Sequence, residues 1–325
     1  FLINFKKLKF SQKTNYFFLF FFIVLFTLSI DLSNSLTFFW DAQKIWFPKA
    51  IILYNDGSIS DLQDTPHNYY SFLGSILWAF FWKISSFEHE YFGRIFFLAI
   101  YCFALINFLT LIKIKKNIKI VLFLFLILIT YDYWHFRGTQ EILVFSFLLI
   151  LSKYLYKIIT EKDKSLNLVF IFLSLNLIIW TKNEGIILSL ILISILFIFL
   201  KTNLKLKYIL LLIYIGMIVM RFLSFKIYGI DTSLSSAFNF SNIISIFFNN
   251  FNLINLFLIT QYIIISFLKF PHIILSLFFA FVICFNKSLF RKTLFLYFYL
   301  VISLLLIFVI YLSSPGDMEF MVSTG

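Results

Sequence analysis

A polar and aromatic stretch at residues 39–50 follows the first long apolar run of this sequence. It combines one acid, two cations and two indoles, namely Asp41, Lys44, Lys49, Trp40 and Trp46. A carboxylate can take a proton from a hydroxyl group, and fixed cations can stabilise an anionic leaving group. We interpret the stretch as the front of an active site with Asp41 as its base. Two simpler interpretations stay open: Asp41 as a helix cap, and the tryptophans as interfacial belt residues.

The composition predicts a polytopic membrane protein. Hydrophobic residues make up 62% of the 325 residues, charged residues make up 13%, and the mean hydropathy is +0.97. A soluble domain needs more polar surface than this. The net charge of +12 lies in short basic clusters between apolar runs, which the positive-inside bias explains better than nucleic-acid binding. Cys102 and Cys284 both lie in apolar runs, so we expect neither a disulfide framework nor a metal cluster.

Apolar runs of sufficient length predict an all-α fold with about nine transmembrane helices. We place these spans near residues 16–34, 94–112, 119–131, 141–158, 168–181, 185–200, 207–223, 270–286 and 294–312. The basic N-terminus is expected in the cytoplasm, which leaves 35–93 and 224–269 as extracytoplasmic loops. Segments 69–82 and 237–268 are assigned as interfacial helices because this choice keeps the later basic loops cytoplasmic. We expect one domain over 1–325 that is truncated at both ends.

On this topology, polar side chains collect at the outer ends of the spans. They are Asp41, Lys44, Lys49, Asp61, Asp64, His67, Glu88, His89, Glu90, Arg94, His135, Arg137, Glu141, Lys182, Glu184, Arg221, Lys226, Asp231, Asp317 and Glu319. Ionisable groups near membrane depth are costly and usually have a functional reason. Simpler explanations remain for single members, since Arg94 could snorkel, His67 could be a loop residue, and Glu141 could complement a helix dipole. Gly185 could cap a tight turn.

Four short segments carry a resemblance to a known family. They are Trp40-Asp41 with Trp46-Phe47-Pro48-Lys49-Ala50, Pro66-His67-Asn68-Tyr69-Tyr70, Glu90-Tyr91-Phe92-Gly93-Arg94, and Lys182-Asn183-Glu184-Gly185. Together they resemble the bacterial GT-C membrane glycosyltransferases, the group around the aminoarabinose and protein-mannosyl transferases. Ala42 departs from the pattern, because many members have a second acid there. The prolines around His67 are also arranged differently.

The resemblance implies an inverting transfer of a sugar from a polyprenyl-phosphate donor to the hydroxyl of a lipid or glycan acceptor. The reaction would take place at the extracytoplasmic face of the cytoplasmic membrane. Asp41 would be the base, and Arg94, Lys44 and Lys182 would hold the donor phosphate, with Arg221 as a further candidate cation. The substrate-lining residues would be Trp40, Trp46, His67, Glu141 and Glu184.

Cofactors and competing functions stay open at the level of sequence. A divalent metal held by Asp41 with Glu184 or Glu141 is possible, but no ligand spacing demands one. A surface-polysaccharide polymerase or ligase shares the donor chemistry, although it usually keeps its catalytic residues in a large late loop. A transporter or flippase for a lipid-linked sugar would place charges and broken helices at mid-membrane, whereas the charges here lie at the outer ends. A purely structural membrane protein would not need so many outer acids.

Overall fold

The computed structural model describes residues 12–34, 37–131, 136–160, 165–200, 202–230, 240–269 and 271–313. Every regular element within these ranges is helical. The α-helices are α1 Gln12–Asn34, α2 Phe47–Tyr54, α3 Leu73–Ser85, α4 Tyr91–Leu109, α5 Lys116–Thr130, α6 Glu141–Thr160, α7 Ser165–Thr181, α8 Glu184–Phe199, α9 Leu204–Ile227, α10 Phe240–Asn250, α11 Leu253–Lys269, α12 Pro271–Cys284 and α13 Lys287–Leu312. A π-helical turn covers Ala42–Trp46, and a 3₁₀ turn covers Ser60–Asp64.

Four helices in the described ranges are long and apolar enough to cross a membrane, namely α4, α6, α9 and α13. A fifth span is possible, because Ile244–Asn250 and Leu253–Lys269 pass the same test together and meet at 90°. Several shorter apolar helices accompany them, including α3 and α8. The all-helical fold of the described residues is therefore confirmed, and its long apolar helices are compatible with the predicted membrane protein. The number of nine spans, their orientation and the interfacial helices stay predictions.

The chain groups into two compact units. Unit 1 comprises Phe1–His67 and Phe72–Ile150, and unit 2 comprises Asn68–Ser71 and Leu151–Gly325. Helix α6 continues from one unit into the other, and the short segment Asn68–Ser71 groups with unit 2 although its neighbours in the chain group with unit 1. The grouping reflects packing alone, so the single domain over 1–325 stays a prediction.

The core of unit 1 is built around Trp78 of α3. Its fully buried ring contacts the rings of Phe38 and Phe47 at centroid distances of 5.5 Å each, and that of Phe97 at 6.0 Å. A buried indole N–H needs an acceptor, and Nε1 of Trp78 donates to the carbonyl of Glu90 at 3.1 Å. This aromatic cluster joins α2, α3 and α4, and it supports the stretch that carries Asp41.

In unit 2, asparagine side chains define the sharp bend between α10 and α11. The Asn250 side chain donates to the carbonyl of Leu312 at 3.1 Å, and Asn252 Oδ1 accepts from the N–H of Asn255 at 2.9 Å. Asparagine is a preferred N-cap residue, so Asn252 starts α11 while Asn250 ties the end of α10 to α13. The asparagine-rich residues 249–255 thus form the ordered bend between α10 and α11.

Candidate functional site

Asp41 lies directly before the π-helical turn Ala42–Trp46. The N–H of Phe47 donates to the carbonyl of Ala42, five residues back, and Pro48 follows with no N–H to extend an α-helical ladder. Single π turns of this kind are frequent at functional sites. Asp41 occupies the N-cap position of the turn, as the alternative interpretation expects, but its half-buried side chain makes no capping hydrogen bond.

Two predicted substrate-lining residues, Trp40 and His67, form an exposed aromatic pair beside Asp41. Trp40 is 57% exposed, and its ring centroid lies 6.3 Å from that of His67. His67 has a left-handed backbone with φ of +54°. The fully buried Lys49 donates from Nζ to the carbonyl of His67 at 3.1 Å. Lys49 therefore supports the backbone that presents the His67 ring.

The side chains of Lys44 and Trp46 point to different environments within the π-helical turn. Lys44 is exposed, as a phosphate-binding cation would need to be. Trp46 is fully buried, and its carbonyl accepts from Ser75 Oγ at 2.9 Å. Trp46 is thus a core residue in this structure, and a role in lining a substrate site would require the ring to be uncovered.

The loop before α6 packs against the Asp41 turn. The N–H of Phe39 donates to the carbonyl of Arg137 at 3.1 Å. Gly138 has φ of +89°, and a Cβ at this position would lie 2.5 Å from Trp78 Cη2 and 2.9 Å from Ala42 Cβ. Only glycine combines this conformation with such a close approach. The loop therefore brings the predicted residue Glu141, in the first turn of α6, to the same part of unit 1 as Asp41.

The same loop contains Gln140, which the sequence patterns did not indicate. Its side chain is fully buried against Gly74, where a Cβ would lie 1.4 Å from Gln140 Oε1. Neither amide atom has a hydrogen-bond partner among the residues that the structure describes. Leaving a buried polar group unsatisfied costs about 1–3 kcal/mol. Gln140 therefore joins the candidate site residues.

Arg94 is fully engaged by protein groups. It is 1% exposed, and it donates to Glu90 from Nε at 3.0 Å and from Nη2 at 2.5 Å. Nη1 donates to the carbonyl of Phe136 at 3.3 Å, and the guanidinium carbon lies 5.0 Å from the ring centroid of Phe38. Burial opposes the ionisation of Glu90, whereas the hydrogen bonds and the positive charge of Arg94 favour it. A donor phosphate could reach Arg94 only by replacing Glu90, so its predicted role stays a prediction.

Lys182 and Glu184 belong to unit 2, where they flank Asn183 in the short connection between α7 and α8. Lys182 is half-buried and Glu184 is exposed. Arg221 of α9 is 2% exposed and donates to backbone carbonyls of this connection. It is therefore committed to protein contacts like Arg94.

Several predicted features lie elsewhere. His135, Asp231, Asp317 and Glu319 fall outside the described residues. Within the described ranges, no three His, Cys, Asp or Glu side chains come together in a way that could hold a metal ion. An apolar cavity of about 320 Å³ lies between α12 and α13, lined by residues that include Phe279 and Tyr297. It contains none of the predicted site residues.

No family model matches the chain, and neither a search of curated proteins nor a search of solved structures finds a match. The resemblance to GT-C glycosyltransferases therefore rests on its four short segments alone.

Proposed function

We propose that the protein is a membrane glycosyltransferase that moves a sugar from a polyprenyl-phosphate donor to an acceptor hydroxyl at the extracytoplasmic face of the cytoplasmic membrane. The observation that carries the proposal is the Asp41 turn. The half-buried carboxylate of Asp41 makes no capping hydrogen bond and lies in the sequence between the exposed Trp40 and the exposed Lys44, in a protein rich in apolar helices. Such an arrangement suits a reaction between a lipid-linked donor and a polar acceptor.

The proposed chemistry uses groups of unit 1. The acceptor oxygen forms a bond to C1 of the sugar, the bond from C1 to the phosphate oxygen breaks, and polyprenyl phosphate leaves. Asp41 takes the proton of the acceptor hydroxyl. The exposed ammonium group of Lys44 offsets the charge that develops on the leaving phosphate. The Trp40 and His67 rings offer flat surfaces to the substrates.

The test is transfer of radiolabelled sugar from membrane polyprenyl phosphate by parental and Asp41→Asn membranes. Loss of a general base removes about 10²–10⁴-fold in rate, so we expect Asp41→Asn to be nearly inactive at normal abundance. Asp56→Asn is the matched control, because Asp56 is an exposed acid of the same loop in a left-handed conformation that asparagine tolerates. Parental activity of Asp41→Asn would remove Asp41 from the mechanism.

A flippase for a lipid-linked sugar is the second candidate, favoured by the 90° bend between α10 and α11. Broken helices are common in transporters. The same labelling experiment separates the two functions, because a flippase moves the labelled lipid across the membrane without forming a new glycosidic bond. A labelled product that is no longer lipid-phosphate linked identifies the transferase.

A further inference from the structure

Asn183 breaks a local rule of helix structure. It occupies the N-cap position of α8, where asparagine normally accepts a hydrogen bond from the first turn, yet its side chain makes no capping bond. Instead, Oδ1 accepts a hydrogen bond from Arg221 Nη2, and Nδ2 donates to the carbonyl of Tyr69 at 3.3 Å. An N-cap side chain that bonds the first turn normally stabilises a helix. The forgone cap indicates that the two other bonds matter more at this position.

Arg221 holds the other side of the same connection. Its Nη1 donates to the carbonyl of Ile179 at 2.5 Å and to that of Lys182 at 3.3 Å. The carbonyl of Ile179 is among the last four of α7, which have no partner within the helix. A cation at a helix C-terminus also complements the helix dipole. The guanidinium of Arg221 therefore caps the C-terminus of α7 through Nη1 and donates to Asn183 Oδ1 through Nη2.

These bonds link two segments that the sequence patterns selected separately. Tyr69 lies in the segment Asn68–Ser71, which groups with unit 2. The hydrogen bond from Asn183 to the carbonyl of Tyr69 connects that segment to the connection between α7 and α8, in which Lys182 and Glu184 flank Asn183. Burying a cation as deeply as Arg221 is costly. Both terminal nitrogens of Arg221 are hydrogen-bonded, although its Nε has no partner among the described residues, so these bonds offset part of that cost.

We propose that Asn183 and Arg221 form a positioning clamp that holds Lys182, Glu184 and the Tyr69 backbone in one arrangement. Arg221 is then a structural cation and not a phosphate ligand. The part of this inference that concerns catalysis rests on the proposed glycosyltransferase function and on the sequence-based prediction that Lys182 binds the donor phosphate and Glu184 lines the substrate site. The clamp itself is a statement about the fold and can be tested without any activity.

The decisive variant is Asn183→Asp in the full-length protein. Aspartate keeps an oxygen for Arg221 and removes the N–H that bonds Tyr69, whereas Asn183→Ala removes both bonds. Hydrogen exchange of the peptides covering 68–72 and 181–186 is the function-independent measurement. One hydrogen bond corresponds to about three- to tenfold in local opening, so we expect exchange at 68–72 to accelerate by that factor in both variants. Unchanged exchange at 68–72 in Asn183→Asp would overturn the clamp.

The matched control is Asn203→Asp. Asn203 is an N-cap whose side chain does cap, accepting from the N–H of Leu206 at 3.0 Å, and aspartate caps equally well. We expect parental exchange and melting temperature for this control. We also expect the melting temperature to fall in Asn183→Ala but to stay near parental in Asn183→Asp, because only the latter retains the Arg221 bond.

Sugar transfer provides the second readout. A small displacement of a positioned group can cost about 100-fold in rate, so we expect Asn183→Asp to lose at least tenfold in kcat/KM at a temperature where it is fully folded. Faster exchange with parental kinetics would mean that the clamp is structural only and would overturn the positioning role. If the parental protein transfers no sugar, the proposed function fails, and the exchange result alone upholds or overturns the clamp.

Discussion

Replacing Glu90 with glutamine removes the counter-charge of a buried guanidinium. Arg94 is 1% exposed and Glu90 is 19% exposed at the side chain, and two hydrogen bonds join them. Removing one partner of a buried ion pair usually lowers the free energy of unfolding by about 3–5 kcal/mol, because the other charge stays buried without compensation. Since Glu90 retains some contact with solvent, we expect Glu90→Gln to lower the free energy of unfolding by about 3 kcal/mol, near the lower limit of that range.

The measurement is reversible unfolding of the purified protein in mixed detergent micelles. Lys83→Met serves as the control, because Lys83 and Asp56 form an ion pair whose side chains are 48% and 83% exposed. Exposed pairs contribute about 0–1 kcal/mol, so this variant should remain close to the parent. The reasoning is refuted if Glu90→Gln destabilises the protein no more than Lys83→Met does.

The double variant Glu90→Met/Arg94→Met decides what Arg94 does. Replacing a whole buried ion pair with apolar residues of similar volume is often neutral or stabilising, so the double variant should recover most of the lost stability. If Arg94 is only structural, sugar transfer recovers as well. If Arg94 contacts the donor phosphate, the double variant is folded but has a raised KM for the donor.

Two further predictions concern the loop before α6 and the turn that contains Ser58 and Asp61. Gly138→Ala should destabilise the protein by about 1–3 kcal/mol or more, because the φ of residue 138 is +89° and the new Cβ would lie 2.5 Å from Trp78. Gly216→Ala is the control, since no atom lies within 4 Å of a Cβ added there. Equal melting temperatures of the two variants would contradict the prediction. Hydrogen bonds from the backbone and side chain of Ser58 lower the pKa of Asp61, so the turn is stable above the ordinary value of 3.8 and weakens as pH falls through the lowered one. We expect the protection factor of the Ser58 amide to drop on acidification in the parent but not in Asp61→Asn, as measured by hydrogen exchange.

The sequence patterns predicted the positions of the helices well. The apolar run at 141–158 corresponds to α6 at Glu141–Thr160, and that at 185–200 corresponds to α8 at Glu184–Phe199. The segment predicted at 69–82 forms a helix that begins later, at Leu73. Long apolar runs are reliable signals because every backbone polar group in a bilayer must be satisfied within the segment, which favours helices.

The partners of the polar residues were harder to predict. The spacing of four between Glu90 and Arg94 is typical of a helical ion pair, so this contact could have been inferred. The spacing does not show that the pair is buried, which follows from the packing of α3 and of the loop before α6. The sequence placed Lys49 in the candidate site beside Asp41, but it did not show that Lys49 is fully buried and donates to the carbonyl of His67.

What the sequence by itself determined is therefore the all-helical architecture with long apolar helices and the stretch in which Asp41 lies, since both follow from local composition and periodicity. Only the tertiary structure decided which polar groups remain accessible. Asp41 is half-buried and Lys44 is exposed, whereas Arg94 and Arg221 are buried and donate to Glu90 and to backbone carbonyls. The physical reason is that the burial of a charge, and the partner that compensates it, depend on segments far apart in the chain.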